Sequence, residues 1–172
     1  YLSGLCSGGL VGGMALTEPN AGSDAVGIAT RAGRDGEAFL LNGTKMFITN
    51  GPVADVLIVY AKTEPEMKSR GITAFIVEKG FPGFSVGKKL DKMGNRGSPT
   101  GEVIFEDCRV PPENVIGEVN GGIHVMMSGL DVERAFVAGE ALGIAEGAFE
   151  LAARYAAERE QFGRRICNFQ MI

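Results

Sequence analysis

Two hydrophobic patterns meet near residue 119. Before that point, short apolar runs are separated by clusters of glycine, proline, asparagine and aspartate. After it, apolar residues recur three and four apart. Eight runs have the length and composition of strands: Gly13–Thr17, Gly27–Ala32, Ala38–Asn42, Lys45–Thr49, Val56–Lys62, Thr73–Glu78, Phe84–Lys88 and Glu102–Cys108. Turn signals punctuate them: Glu18-Pro-Asn-Ala-Gly-Ser, Arg34-Asp-Gly, Asn42-Gly, Asn50-Gly-Pro and Phe81-Pro-Gly. Asn42-Gly43 between two such runs predicts a two-residue type I′ hairpin. Many short strands punctuated in this way predict an antiparallel barrel or sandwich.

Beyond Val110-Pro-Pro, the stretch from Val119 to about Arg159 contains no proline. Ile123, Met126, Met127, Leu130, Leu142, Ala145, Phe149, Ala152 and Tyr155 follow helical spacing. One straight helix of this run would be roughly 60 Å long. A single apolar stripe along it would need partner helices. Gly129, Gly139 and Gly143 mark places where it can kink or pack closely, and a second helix is expected near Phe169. The fold class predicted is α+β, with a barrel-like antiparallel β-domain followed by the first long helix of a helical bundle.

Composition fits a globular chain and narrows the chemistry. Of the 172 residues, 45% are hydrophobic and 22% charged, so there is enough apolar surface for a core. A net charge of −4 argues against a nucleic-acid footprint, and no apolar run reaches the roughly 20 residues of a membrane span. Cys6, Cys108 and Cys167 form no C-x-x-C pair, which suits reduced thiols. The single histidine, His124, rules out H-E-x-x-H zinc sites and multi-histidine iron sites, and no metal site is expected. Neither a nucleophile elbow nor a Walker sequence is present. The first residue, Tyr1, and the unbroken helical pattern running toward Ile172 suggest a piece of a longer protein.

Three segments offer chemistry. In Met14-Ala-Leu-Thr-Glu-Pro-Asn-Ala-Gly-Ser-Asp24 a strand runs into a turn rich in hydroxyls and backbone donors. Such donors can hold a heteroaromatic edge or a pyrophosphate, and the same residues can equally make an ordinary β-turn. In Lys45-Met-Phe-Ile-Thr-Asn-Gly51, Phe47 and Thr49 are two apart and so are expected on one strand face. A ring and a hydroxyl there suit a flat cofactor; a core phenylalanine beside a strand-end threonine is the plainer alternative. In Ser128-Gly-Leu-Asp-Val-Glu-Arg134, Glu133 is a candidate base or a solvated helix glutamate. His124, nine residues earlier, is expected on the same side.

Together with Arg70-Gly-Ile-Thr-Ala-Phe-Ile-Val-Glu-Lys79, Lys92-Met-Gly-Asn-Arg-Gly-Ser98, Phe105-Glu-Asp-Cys-Arg-Val-Pro111 and Arg159-Glu-Gln-Phe-Gly163, these segments resemble the acyl-CoA dehydrogenase family along essentially the whole chain. The resemblance implies the tail of an N-terminal helical domain at 1–9, a middle β-domain at 10–118 and the start of a C-terminal bundle at 119–172. It implies FAD as cofactor, a carboxylate that takes the α-proton of an acyl-CoA thioester, and hydride passing to flavin N5. The branch it most resembles acts on short branched, isovaleryl-like acyl groups. There the base stands on the first long bundle helix, which points to Glu133.

By the same matching, Met14, Leu16, Thr17, Gly22, Ser23, Phe47, Ile48, Thr49, Arg159 and Gln170 would contact FAD, the last two reaching a neighbouring subunit's cofactor. Ser23, Ser69, Arg70, His124, Asp131 and Arg134 would face the substrate. Phe47 stands where the family usually has tryptophan, and His124 where this branch has tyrosine. The resemblance further implies electron-transfer flavoprotein as the electron acceptor, a homotetramer, and a piece that is inactive by itself. It implies bacterial cytoplasm or mitochondrial matrix as the compartment. Other readings are a family member or flavin oxidase with its base in a C-terminal region beyond this sequence, and a non-catalytic β-barrel binding module.

Overall fold

The computed structural model describes Tyr1–Gln170 and has two compact units, Tyr1–Met127 and Ser128 onward. The first unit opens with a short helix, α1 (Leu2–Ser7), and continues with strands β1 (Gly12–Ala15), β2 (Arg31–Asp35), β3 (Ala38–Thr49), β4 (Val56–Lys62), β5 (Ile72–Glu78), β6 (Phe84–Lys89), β7 (Thr100–Val110) and β8 (Val115–Ile116). They form one sheet in the order β6-β7-β3-β2-β4-β5-β8, with β1 also on β4. The fold is therefore α+β as expected. The sheet, however, is open, with β6 and β8 at its edges, and is not a closed barrel. It is not purely antiparallel either, because β1 and β2 both run parallel to β4.

That parallel pairing shapes the site. β5 covers one edge of β4 along its whole length. β1 takes the other edge at Val56–Val59, and β2 meets β4 at Lys62. Residues 16–30 are thus an excursion that leaves the sheet after β1 and returns to the same strand edge. The first strand-like part of this stretch, Gly27–Ala32, was expected to pair. Instead the Glu18 carboxylate accepts the amides of Ala29 and Thr30 at 2.5 and 3.0 Å, which takes them out of any ladder, and β2 begins only at Arg31.

The hairpin expected at Asn42-Gly43 is also absent, and β3 runs straight through both residues. Gly43 lies at a register shift where β3 pairs with β7, at φ 151°, and pairs with Phe105. A Cβ there would come within 2.5 Å of the Thr30 hydroxyl, so the glycine serves close approach and not a turn. Asn42 braces the same irregularity. Its side chain donates to Asp107 Oδ1 at 3.0 Å and accepts the Asp107 amide at 2.9 Å. The tight turn sits instead at Gly36, between β2 and β3, where φ is 60°.

The main core cluster is built from alternate residues of β3, β4, β5 and β7. Phe39, Leu41, Leu57, Val59, Phe75, Val103 and Phe105 are buried together. Phe39 and Phe75 meet edge to face with centroids 5.1 Å apart. Burial of each such side chain stabilises the fold by about 1.5–3 kcal/mol.

The helix α2 (Gly122–Glu158) agrees in type with the expectation and starts three residues later. Its apolar residues do not form one stripe. At 100° per residue, Ile144 and Tyr155 lie on one face, Leu142 and Phe149 on a second, Val132 and Phe136 on a third, and all six are exposed. A helix apolar on several sides is one covered on several sides. The expected second helix near Phe169 is not found among the described residues. A small hairpin of β9 (Glu160–Gln161) and β10 (Arg164–Arg165) follows α2, then a 3-10 turn at Ile166–Asn168. Residues 171 and 172 lie outside the described part.

Candidate functional site

Two segments with cofactor-like chemistry come together in the first unit. The end of β1 and the excursion after it carry Met14, Leu16, Thr17, Gly22 and Ser23; the end of β3 carries Phe47, Ile48 and Thr49. Hydrogen bonds join them. The Met46 amide donates to Thr17 O at 2.8 Å, Lys45 Nζ to Leu16 O at 3.0 Å, and Asn50 Nδ2 to Gly12 O at 3.0 Å. Gly13 permits this approach, because a Cβ there would stand 2.8 Å from Thr49 O.

A bulge decides which side chains face out. Between Lys45, paired with Val103, and Ile48, paired with Gly101, β3 has one residue more than β7. Simple alternation would put Lys45, Phe47 and Thr49 on one face. The extra residue sends Lys45 inward with Ile48, leaving Phe47 60% exposed and Thr49 exposed beside it. Phe47 takes φ 60°, a region that costs an L-residue roughly 1–2 kcal/mol. A strained backbone that holds a large ring in solvent is a feature that packing does not explain.

Behind these residues lies a buried ion pair that the sequence reading did not single out. Lys45 is fully buried and Glu18 is 6% exposed; Nζ and Oε1 are 2.8 Å apart. Glu18 also accepts the Thr30 hydroxyl at 2.6 Å. Burial alone would push the Glu18 carboxyl up, but hydrogen bonds from Lys45, Thr30 and the Ala29 amide outweigh it and hold the group below its ordinary value. Burial pulls Lys45 down to about 8, against the opposing hydrogen bond and charge of Glu18. The one hint in the sequence was a lysine at the start of a strand-like run; its partner sits in a turn, where acidic residues are usually solvated.

The remaining candidates are placed separately. Ser69, half-buried, and Arg70, exposed, belong to the 3-10 segment Pro65–Gly71 between β4 and β5. Among the described residues, no ion pair or hydrogen bond joins them to the two segments above. His124 is exposed on the first turn of α2. Nine residues are two and a half helical turns, so His124 and Glu133 are half a turn out of phase and not on the same side. Glu133 is exposed in the second unit, in a shallow hollow of about 320 Å³ shared with Leu130, Arg134 and Val137. Arg134 pairs with Asp131 at 3.0 Å and leaves the Glu133 carboxylate without an ionic partner among the described residues. Arg159 and Gln170 are exposed beyond the helix, where Arg164 stacks on the Phe169 ring at 3.9 Å. Among the described residues, no group of three metal-ligating side chains occurs and no helix is long and apolar enough to cross a membrane.

The donor set at the first site is an exposed aromatic face, the hydroxyls of Thr17, Ser23 and Thr49, and open space around Gly22 where a Cβ would meet nothing. This set fits a flat heteroaromatic ring joined to a phosphate-bearing chain. Comparison with known proteins agrees. Residues 13–108 match the acyl-CoA dehydrogenase middle domain and residues 120–172 the acyl-CoA dehydrogenase C-terminal domain. The chain belongs to the acyl-CoA dehydrogenase family, oxidoreductases acting on CH–CH donors with FAD as cofactor.

Mitochondrial isovaleryl-CoA dehydrogenase of Pongo abelii is 54% identical over the whole chain, which spans 41% of that relative. Butyryl-CoA dehydrogenase of Megasphaera elsdenii superposes with a TM-score of 0.96 at 48% identity, over 99% of this chain and 45% of that one. A chain in a structure described as the electron transferring flavoprotein of Acidaminococcus fermentans gives a TM-score of 0.96 at 51% identity, with the same coverage.

Proposed function

We propose that this chain is part of an FAD-dependent dehydrogenase of short branched acyl-CoA thioesters, isovaleryl-CoA-like in acyl group, that passes electrons to an electron-transfer flavoprotein. The observation that carries the cofactor assignment is the strained, solvent-facing Phe47 beside the hydroxyl-rich end of β1. Identity to isovaleryl-CoA dehydrogenase supports the acyl class. A relative named for electron transferring flavoprotein supports the acceptor.

The residues divide the work. Phe47 offers a stacking face, and the Thr17, Ser23 and Thr49 hydroxyls offer hydrogen bonds to heteroatoms. FAD, when bound, supplies the redox chemistry by accepting the hydrogen removed from the β-carbon. Glu133 takes the α-proton. A carboxylate becomes a stronger base when substrate excludes water from it, and the apolar flanks of Leu130 and Val137 favour that exclusion. Ser69 and Arg70 are assigned to the CoA side, where a guanidinium suits phosphate. Asp131, Arg134 and His124 are assigned to the substrate, and Arg159 and Gln170 to the FAD of a neighbouring subunit in a homotetramer.

A substrate panel with an artificial electron acceptor tests the acyl class. The reading predicts the highest kcat/KM with isovaleryl-CoA. A preference for straight-chain butyryl-CoA, the substrate named for the Megasphaera relative, would replace the branched-chain assignment.

A further inference from the structure

Of the ion pairs among the described residues, Lys45–Glu18 alone is buried; the other three are exposed. A buried pair is a weak source of stability, because desolvation cancels most of the attraction and an apolar pair often serves as well. Its placement is informative. One ammonium on β3, two residues before Phe47, holds the carbonyl of Leu16 and the carboxylate of Glu18. These residues flank Thr17, whose own carbonyl accepts the Met46 amide. The remaining capacity of Glu18 is taken by Thr30 and Ala29 at the far end of the excursion. The bonds from Lys45 to Leu16 and Glu18 and from Met46 to Thr17 therefore tie the β1 end to the β3 end, while those from Thr30 and Ala29 hold the Glu18 carboxylate in place.

We propose that Lys45 and Glu18 are positioning residues that fix Leu16–Thr17 against Phe47–Thr49, so that FAD binding depends on the pair more than folding does. This rests on the reading of those two segments as flavin-bearing. It assigns no contact between FAD and either charged group.

The test uses the full-length protein as wild type, Lys45→Met, Glu18→Gln and the double variant, with apoprotein melting temperature and FAD affinity as separate readouts. Each single variant leaves one buried group without its partner and lowers both. The double variant removes the unpaired charge and recovers most of the melting temperature. It still lacks the ammonium on Leu16 O, and its FAD affinity stays at least about tenfold below wild type, the scale of a lost charge-assisted hydrogen bond. A double variant that binds FAD like wild type overturns the proposal.

A wild type with no affinity for FAD would overturn the flavin reading itself, a result distinct from that one.

Discussion

Phe47 provides a sharp test of the local geometry because glycine and alanine should reverse their usual order there. In an ordinary strand glycine is less favourable than alanine by about 0.5–1 kcal/mol, since it loses more backbone freedom on folding. At φ 60° the Cβ of alanine carries a penalty of roughly 1–2 kcal/mol that glycine escapes. The difference leaves Phe47→Gly more stable than Phe47→Ala by about 0.5–1 kcal/mol. With a urea slope of about 2 kcal/mol/M, that is a midpoint shift of a few tenths molar in the apoprotein. Because the ring is largely exposed, its own truncation costs the fold little. Both variants lose the stacking face, worth about 0.5–1.5 kcal/mol, so FAD should bind roughly two- to thirteenfold more weakly in each. Phe47→Trp should restore it. Alanine equal to or more stable than glycine would refute the bulge geometry. Unchanged FAD affinity in both would refute stacking at this position.

Three further outcomes follow from the same geometry. Gly43→Ala should lower the apoprotein melting temperature by several degrees, because its Cβ meets Thr30 at 2.5–2.9 Å and overpacking of this kind costs about 1–3 kcal/mol; an unchanged melt would show that β3 does not approach Thr30. Cys108 is fully buried and burial pushes its thiol up to about 11, so iodoacetamide at pH 8 should leave it unmodified in the native protein and label it in urea, while native labelling at the rate of a free thiol would contradict the core assignment. Glu18 has a folded pKa below its unfolded value, so its contribution is complete above pH 4.5 and is lost as pH falls through the folded value. A urea titration from pH 6 down to 3 should therefore show a steeper loss of stability in wild type than in Glu18→Gln, and parallel curves would refute the coupling.

Much of the architecture was legible, for physical reasons that can be located. β4 was read with its bounds intact, and β5, β6 and β7 to within two residues at either end, because apolar alternation and flanking turn residues agreed there. The misreadings fall where tertiary contacts replaced local preference. Asn42-Gly43 has hairpin chemistry, yet Gly43 was needed for the approach of Thr30 and Asn42 for the Asp107 brace. Gly27–Ala32 has strand composition, yet one carboxylate, eleven and twelve residues away, takes the amides of Ala29 and Thr30, so that only Arg31 and Ala32 enter β2.

The site divided in the same way. Phe47 and Thr49 were readable as a pair on one strand face, although the bulge that turns them outward was not. Simple alternation would have exposed Lys45 with them, and nothing local shows that one extra residue turns it inward to Glu18. The breadth of apolar coverage on α2 was likewise invisible to a search for one stripe, since residues on several faces satisfy three- and four-residue spacing at once.

The most direct test of the functional account is rapid mixing of isovaleryl-CoA with the FAD-loaded full-length protein, as wild type and as Glu133→Gln. Flavin absorbance near 450 nm reports reduction. General-base catalysis contributes about 10²–10⁴-fold. The account predicts that Glu133→Gln keeps its FAD and still binds substrate, while the absorbance decays at least about a hundredfold more slowly than in wild type. Reduction at the wild-type rate in Glu133→Gln would contradict the assignment of Glu133 as the base.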